Sequence, residues 1–156
     1  MLIHKILKES FPVSFLQLHP YDVTENMKGW EEEFDWTIYF DLPGFEVYKM
    51  VIKGNDDIQG AIALERKADH VFVHLIESAP WNRDDKVFER AGLNLMAFAC
   101  KRSKDLGHEG FVSFQSKTRI IQYYEKNMFA QHIGGGNMII SDVAANRLIE
   151  LYLTEG

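Results

Sequence analysis

The run His70-Val71-Phe72-Val73-His74-Leu75-Ile76-Glu77, closed by Ser78-Ala79-Pro80 and followed by a helical pattern from Arg90 to Leu106, decides the architecture. The run is too continuously apolar for a strand with one wet face, which predicts a central position in a sheet. In the helical stretch Ala91, Leu95, Phe98, Ala99 and Leu106 recur at helical spacing. Lys101, Arg102, Lys104 and Asp105 gather near its end, and Gly107 stops it. Gly110 to Gln115 then reads as a short strand. Strands joined through a helix normally run parallel.

Upstream the pattern is that of an antiparallel meander. Phe45 to Lys53 and Ile58 to Glu65 read as strands joined by the turn Gly54-Asn55-Asp56-Asp57. Trp36, Ile38 and Phe40 alternate with Thr37, Tyr39 and Asp41, which predicts another strand, broken by Leu42-Pro43-Gly44. Ser14 to Leu18 is a short apolar strand ended by His19-Pro20; Tyr21 to Asp35 is polar and acidic and reads as a short helix or long loop; Leu2 to Phe11 reads as a marginal helix. Downstream, Thr118 to Lys126 is a short helix with Thr118 as its cap. Strands Ala130 to Ile133 and Asn137 to Ile140 flank a Gly134-Gly135-Gly136 hairpin turn, and Ser141 caps a helix from Asp142 to Leu153. Neither a repeat nor a linker divides the chain, so residues 1–156 are expected to form a single α/β domain with a mixed sheet.

Composition narrows the function classes. The chain has 156 residues, of which 46% are hydrophobic and 26% charged, which excludes a disordered or low-complexity chain. Seventeen Lys and Arg against 23 Asp and Glu give a formal charge of −6, the wrong sign for a phosphate-tracking surface, so no nucleic-acid partner is expected. Lys5, Lys8 and Glu9 interrupt the N-terminal apolar residues, and no stretch reaches the roughly 18 needed to cross a bilayer. A cytoplasmic protein without a membrane partner is the expectation. The lone Cys100 reads as a reduced core thiol. Among six histidines only His70 and His74 are close, and neither a carboxylate nor a thiol completes a ligand set, so no metal is expected.

The junction between the central run and the long helix, residues 77 to 94, is where chemistry is most readily placed. A strand end followed by a helix N-terminus favours an anion such as a pyrophosphate, and Gly92 lets backbone come close. From Gly60 to Phe129, the strand, the Pro-containing loop, the glycine-bearing turn, the Ala-rich helix ending Lys104-Asp105-Leu106-Gly107, the next strand and Tyr124-Glu125-Lys126-Asn127-Met128-Phe129 together resemble the GNAT superfamily of N-acetyltransferases. In that family the last segment commonly reads Tyr-Glu-Lys, any residue, Gly, Phe; Met128 stands at the Gly position here. The family's pyrophosphate loop aligns with Val87-Phe88-Glu89-Arg90-Ala91-Gly92, of which only Gly92 matches.

The resemblance implies a central, mostly antiparallel mixed sheet flanked by helices, with acetyl-CoA in a cleft between the strand ending at Glu77 and the strand Phe111 to Gln115. Pantetheine would bond to the backbone of Leu75, Ile76 and Glu77. The pyrophosphate would lie on Val87, Phe88, Glu89, Arg90, Ala91 and Gly92, with Lys117 as a further cofactor contact. Tyr124 would protonate the departing thiolate, since a thiol of pKa about 8.5 leaves better when protonated. Glu77 is the candidate base for an ammonium acceptor, against the alternative of a solvated strand-end carboxylate. His74, three residues earlier and therefore on the opposite strand face, is a second candidate base or substrate contact against a core histidine.

The acidic and aromatic stretch Trp30-Glu31-Glu32-Glu33-Phe34-Asp35-Trp36 suits a cationic amine acceptor. The implied function is acetyl transfer from acetyl-CoA to a primary amine by direct attack in a ternary complex, and a homodimer is allowed for. The alternatives are a non-catalytic acyl-CoA-binding or protein-interaction module of the same fold, and a different α+β domain with no cofactor.

Overall fold

The computed structural model describes residues 1–154. In chain order the elements are β1 (Leu2–His4), β2 (Ser10–Phe11), β3 (Val13–Gln17), α1 (Pro20–Asn26), β4 (Phe45–Ile52), β5 (Ile58–Arg66), β6 (Val71–Ser78), β7 (Phe88–Glu89), α2 (Ala91–Asp105), β8 (Val112–Gln115), α3 (Ile121–Asn127), β9 (Gln131–His132), β10 (Asn137–Ile140) and α4 (Asp142–Leu153). Seven strands form one sheet in the order β3-β4-β5-β6-β8-β10-β9, and only the β6–β8 pair is parallel. The sheet is therefore mixed and mostly antiparallel, with β6 fourth of seven as its apolar run requires.

Each face of the sheet carries its own core. Helices α2 and α4 cover one face, burying Met50, Ile62, Leu64, Val71 and Val73 against Leu95, Met96, Ala99 and Leu148. Gly60 sets how closely α2 can approach, because a Cβ there would come within 2.9 Å of Leu95 Cδ1 and 3.1 Å of the Glu77 carbonyl oxygen. The other face is covered by the segment after β3, where Leu18, Met27, Trp30 and Trp36 pack on Val47, Ile58, Ala61 and Ala63. Cys100 is fully buried in the first core, and burial pushes its thiol up to about 12, consistent with an inert core residue. Ser141 caps α4 by accepting from the Ala144 N–H at 3.4 Å.

Several local expectations give way to longer-range pairing. Leu2 to Phe11 is a hairpin instead of a helix: Lys8 turns the chain at φ 58°, and β1 pairs with β2 on one side and with β7, more than 80 residues away in sequence, on the other. Trp36–Tyr39 is a 3-10 helix instead of a strand, because the Asp35 side chain accepts the Thr37 N–H at 3.0 Å and starts a turn. The apparent strand alternation there is broken in burial too, with Trp36 at 3% exposure and Ile38 at 55%. Thr118 begins a 3-10 turn that leads into α3 and caps nothing; Lys117 occupies the cap position without a side-chain bond.

On the helical face, Arg102 of α2 forms a bidentate pair with Glu46 of β4, at 2.7 and 2.9 Å, and the Tyr48 hydroxyl donates to the same carboxylate at 2.7 Å. Burial raises the Glu46 carboxyl, but the Arg102 and Tyr48 bonds outweigh it and hold it below its ordinary value. Such a carboxyl adds stability above its unfolded pKa, about 4.3, and loses it as pH falls through the lower folded value. Glu46→Gln is therefore expected to lower stability at neutral pH and to flatten the loss of stability below about pH 4.3 in urea titrations. An acid profile as steep in the variant as in the wild type would contradict this.

Candidate active site

A single extra residue opens the site. Along the β5–β6 ladder Ala63 opposes Leu75 while Leu64 opposes Val73, so His74 has no partner and forms a bulge in β6. Bulges bend the strand and increase its twist. The parallel pairing with β8 covers only Val71–Val73 opposite Val112–Phe114 and ends at that point. From His74 to Ser78 the edge of β6 that faces away from β5 has no partner strand among the described residues, leaving backbone donors and acceptors for a ligand.

The bulge also changes which side chains face where. Val71 and Val73 point into the core beneath α2, and past the bulge Ile76 takes up that face while Leu75 packs into the opposite core. Glu77 consequently lies on the same side as His74, not the opposite one. Trp36 donates to Glu77, and Tyr39 packs on both Trp36 and His74 at centroid distances of 6.3 and 6.0 Å. His74 itself is held by Glu65, with Nε2 and Oε1 2.9 Å apart, and by the ring of Phe45 at 4.7 Å.

A cleft of about 880 Å³ lies between the open end of β6, the start of α2 and helix α3. It gathers Ile76, Glu77, Arg90, Ala91, Gly92, Lys117 and Tyr124 of the residues expected from sequence. Leu75, Val87, Phe88 and Glu89 do not line it. Phe88 and Glu89 are β7, paired with Ile3 and His4 of β1, so two of the six residues of the expected pyrophosphate loop are strand. Val87 is likewise engaged, accepting from the Lys5 N–H at 2.9 Å.

What remains of that loop is the helix start. The first helical bond runs from the Asn94 N–H to the Arg90 carbonyl at 3.0 Å, so the amides of Ala91, Gly92 and Leu93 precede it without helical partners. Gly92 has open space where a Cβ would stand, which fits an anion resting on backbone. Arg90 adopts the left-handed region, φ 69°, at a position where glycine would be unstrained, and its N–H donates to the Asp85 carboxylate at 3.0 Å. Acidic Glu31, Glu33, Asp84 and Asp85 and basic Arg83, Arg90 and Lys117 share the rim.

Tyr124 stands on α3 with its ring edge-on to Phe114, centroids 4.9 Å apart. Burial raises its phenol above the ordinary value, which keeps the hydroxyl protonated at neutral pH. Tyr123 beside it is raised by burial and then by the negative charge of Asp85. Glu77 is 5% exposed; its Oε1 accepts the Trp36 indole N–H at 2.8 Å and its Oε2 the Glu31 backbone N–H at 2.8 Å, with Arg83 Nη2 at 3.4 Å.

Sequence reading missed Gln59 and Asn82, which shape the loop. Asn82, 3% exposed, donates to the Gln59 carbonyl and side-chain oxygens at 3.1 and 2.9 Å and accepts from the Phe88 N–H at 3.1 Å. Trp81 donates to the same Gln59 side chain at 2.9 Å. The only local signal was a polar residue two positions after Pro80. Among the described residues no group of three His, Cys, Asp or Glu is placed to hold a metal ion. Among the described residues no helix is long and apolar enough to cross a membrane.

This arrangement of sheet and helices recurs in solved structures. A provisionally assigned streptothricin acetyltransferase from Bacillus anthracis, in complex with acetyl coenzyme A, superposes with a TM-score of 0.57 at 11% identity over 84% of this chain and 95% of that one. A chimeric spermidine N-acetyltransferase from Vibrio cholerae gives 0.59 at 11% identity over 86% and 98%. The ribosomal-protein-S18-alanine N-acetyltransferase of Escherichia coli gives 0.56 at 12% over 81% and 89%. No protein-family model and no curated protein matches the sequence. The chain has the GNAT acetyltransferase fold.

Asn82→Ala leaves the Phe88 N–H and the Gln59 oxygens without their partner in a buried setting. It is expected to cost about 1–3 kcal/mol in urea unfolding. A change below about 0.5 kcal/mol would show that the loop does not depend on this residue.

Proposed function

We propose that the protein transfers an acetyl group from acetyl-CoA to a primary amine, by direct attack within a ternary complex. The observation that carries this reading is the coincidence, in one cleft, of an unpaired strand edge, an open helix N-terminus at Gly92 and the Tyr124 side chain on α3. Acetyl-CoA supplies the activated acetyl thioester. The backbone of Leu75, Ile76 and Glu77 would hold the pantetheine arm, and the amides of Ala91 and Gly92 with the Lys117 side chain would receive the diphosphate. Arg90 adds a guanidinium at the same rim. The amine nitrogen forms its bond to the acetyl carbon as the carbon–sulfur bond breaks, the Tyr124 hydroxyl donates its proton to the sulfur, and the proton released from the nitrogen returns to the Tyr124 oxygen through water.

The acceptor side is framed by Glu31, Glu33 and Phe34, a combination that favours a cation. The non-catalytic alternative of the same fold is separated from this reading by turnover: binding of acetyl-CoA without thiol release in the presence of amines would favour it.

The decisive variant is Tyr124→Phe, which keeps the ring and removes the proton donor. With an accepted amine, kcat is expected to fall about 10²- to 10⁴-fold while CoA affinity by calorimetry changes little. Near-normal kcat would remove Tyr124 from the chemical step. Gly92→Glu places bulk and charge on the open amides and is expected to weaken CoA binding about tenfold or more without lowering Tm; unchanged affinity would move the diphosphate elsewhere.

A further inference from the structure

We infer that Glu77 is a positioning residue whose carboxylate fastens the acceptor-side segment, residues 30–36, to the end of β6, and that it is not the base for the acceptor. The catalytic consequence rests on the acetyl-transfer reading above; the tie itself does not.

The carboxylate is already committed. Its two oxygens receive the Trp36 indole and the Glu31 backbone amide, each at 2.8 Å, and Arg83 stands 3.4 Å from Oε2. A carboxylate offers about four acceptor sites, so three are spoken for, all by donors. Both close donors are fixed: one is main chain, and the other belongs to a side chain that is 3% exposed in the core. A base must bring a free oxygen within reach of the proton it removes. At 5% exposure the Glu77 carboxylate keeps one open acceptor position, and turning either oxygen toward the acceptor would strand the Trp36 indole or the Glu31 amide without its partner.

What the carboxylate holds is the rim that meets the acceptor. Glu31 is gripped by its own backbone, and Glu31, Glu33 and Phe34 line the cleft. The Glu33 N–H in turn donates to the Glu31 side chain at 3.3 Å, so the tie passes along the segment. The bulge at His74 makes this possible, because it brings the Glu77 side chain to the face that this segment covers. Glu77 thus connects the strand proposed to hold the thioester with the segment proposed to hold the amine.

Glu77→Gln separates the two roles. A glutamine has one acceptor oxygen and an NH₂ group, so at least one of the two donors must face another donor. If Glu77 is a tie, hydrogen exchange at the Glu31 amide and the Trp36 indole should quicken about tenfold or more while amides of β4 and β5 stay protected. With an amine that the wild type acetylates, the acceptor KM should rise about tenfold, kcat should stay within about threefold and CoA affinity should hold. Adding Trp36→Phe removes the opposing indole donor and should recover part of the lost KM. A kcat fall of about 10²-fold or more, with KM and exchange unchanged, would overturn the inference and restore Glu77 as the base.

Should Glu77→Gln fail to fold, Trp36→Phe alone decides. It leaves the carboxylate intact and removes one tie, so a raised acceptor KM supports the inference and an unchanged KM overturns it. If the wild type neither binds acetyl-CoA nor acetylates any amine, the acetyl-transfer reading falls, and the exchange data still decide the tie.

Discussion

The extra residue in β6 is the constraint from which the rest of the site follows. Because His74 has no partner on β5, the strand bends just where its parallel pairing with β8 ends, and its last residues keep one edge open. The same residue shifts the side-chain alternation, so that Ile76 continues the core beneath α2 while Leu75 and Glu77 turn toward Trp36. One local irregularity therefore opens an edge and chooses the face on which the buried carboxylate lies.

The energetics of the surrounding loop are those of a polar arrangement in which every member needs its partner. Gln59, Asn82 and Glu77 are buried at 4%, 3% and 5% exposure, and each is held by donors or acceptors from distant segments. Loss of one partner strands another buried group, which costs more than the bond itself contributes. The loop between β6 and α2 is thereby fixed without a hydrophobic core of its own, while the helix amides beyond it stay open. The left-handed backbone at Arg90, Asp84 and Asp85 belongs to the same compact path.

Much of the architecture was legible in the sequence because it is written in local periods. The apolar run of β6, the helical spacing of α2, the turn after β4 and the Ser141 cap are all decided by residues within a few positions of one another. That Ile76, Gly92, Lys117 and Tyr124 serve one site is what the GNAT resemblance implies, and all four line one cleft. What escaped was non-local. The Leu2–His4 strand exists because β7 lies beside it, and the partners of Glu77 lie 41 and 46 residues away. The bulge was hidden by the very continuity of the run 70–77, since a stretch apolar on both faces carries no alternation from which a slip could be read. At Trp36 to Phe40 the alternation was present but belonged to a 3-10 turn started by Asp35, so only Trp36 is buried deeply.

The account depends on the edge of β6 beyond His74 being where the acyl donor lies. Backbone amide shifts followed by NMR as CoA is titrated into the labelled protein test this directly. The expected result is saturable shifts at residues 74–78 of β6 and 91–93 of α2, with 71–73, which stay paired to β8, unmoved. Shifts confined to the hollow at the opposite end of these strands, around His70 and His108, or no shifts at millimolar CoA, would contradict it.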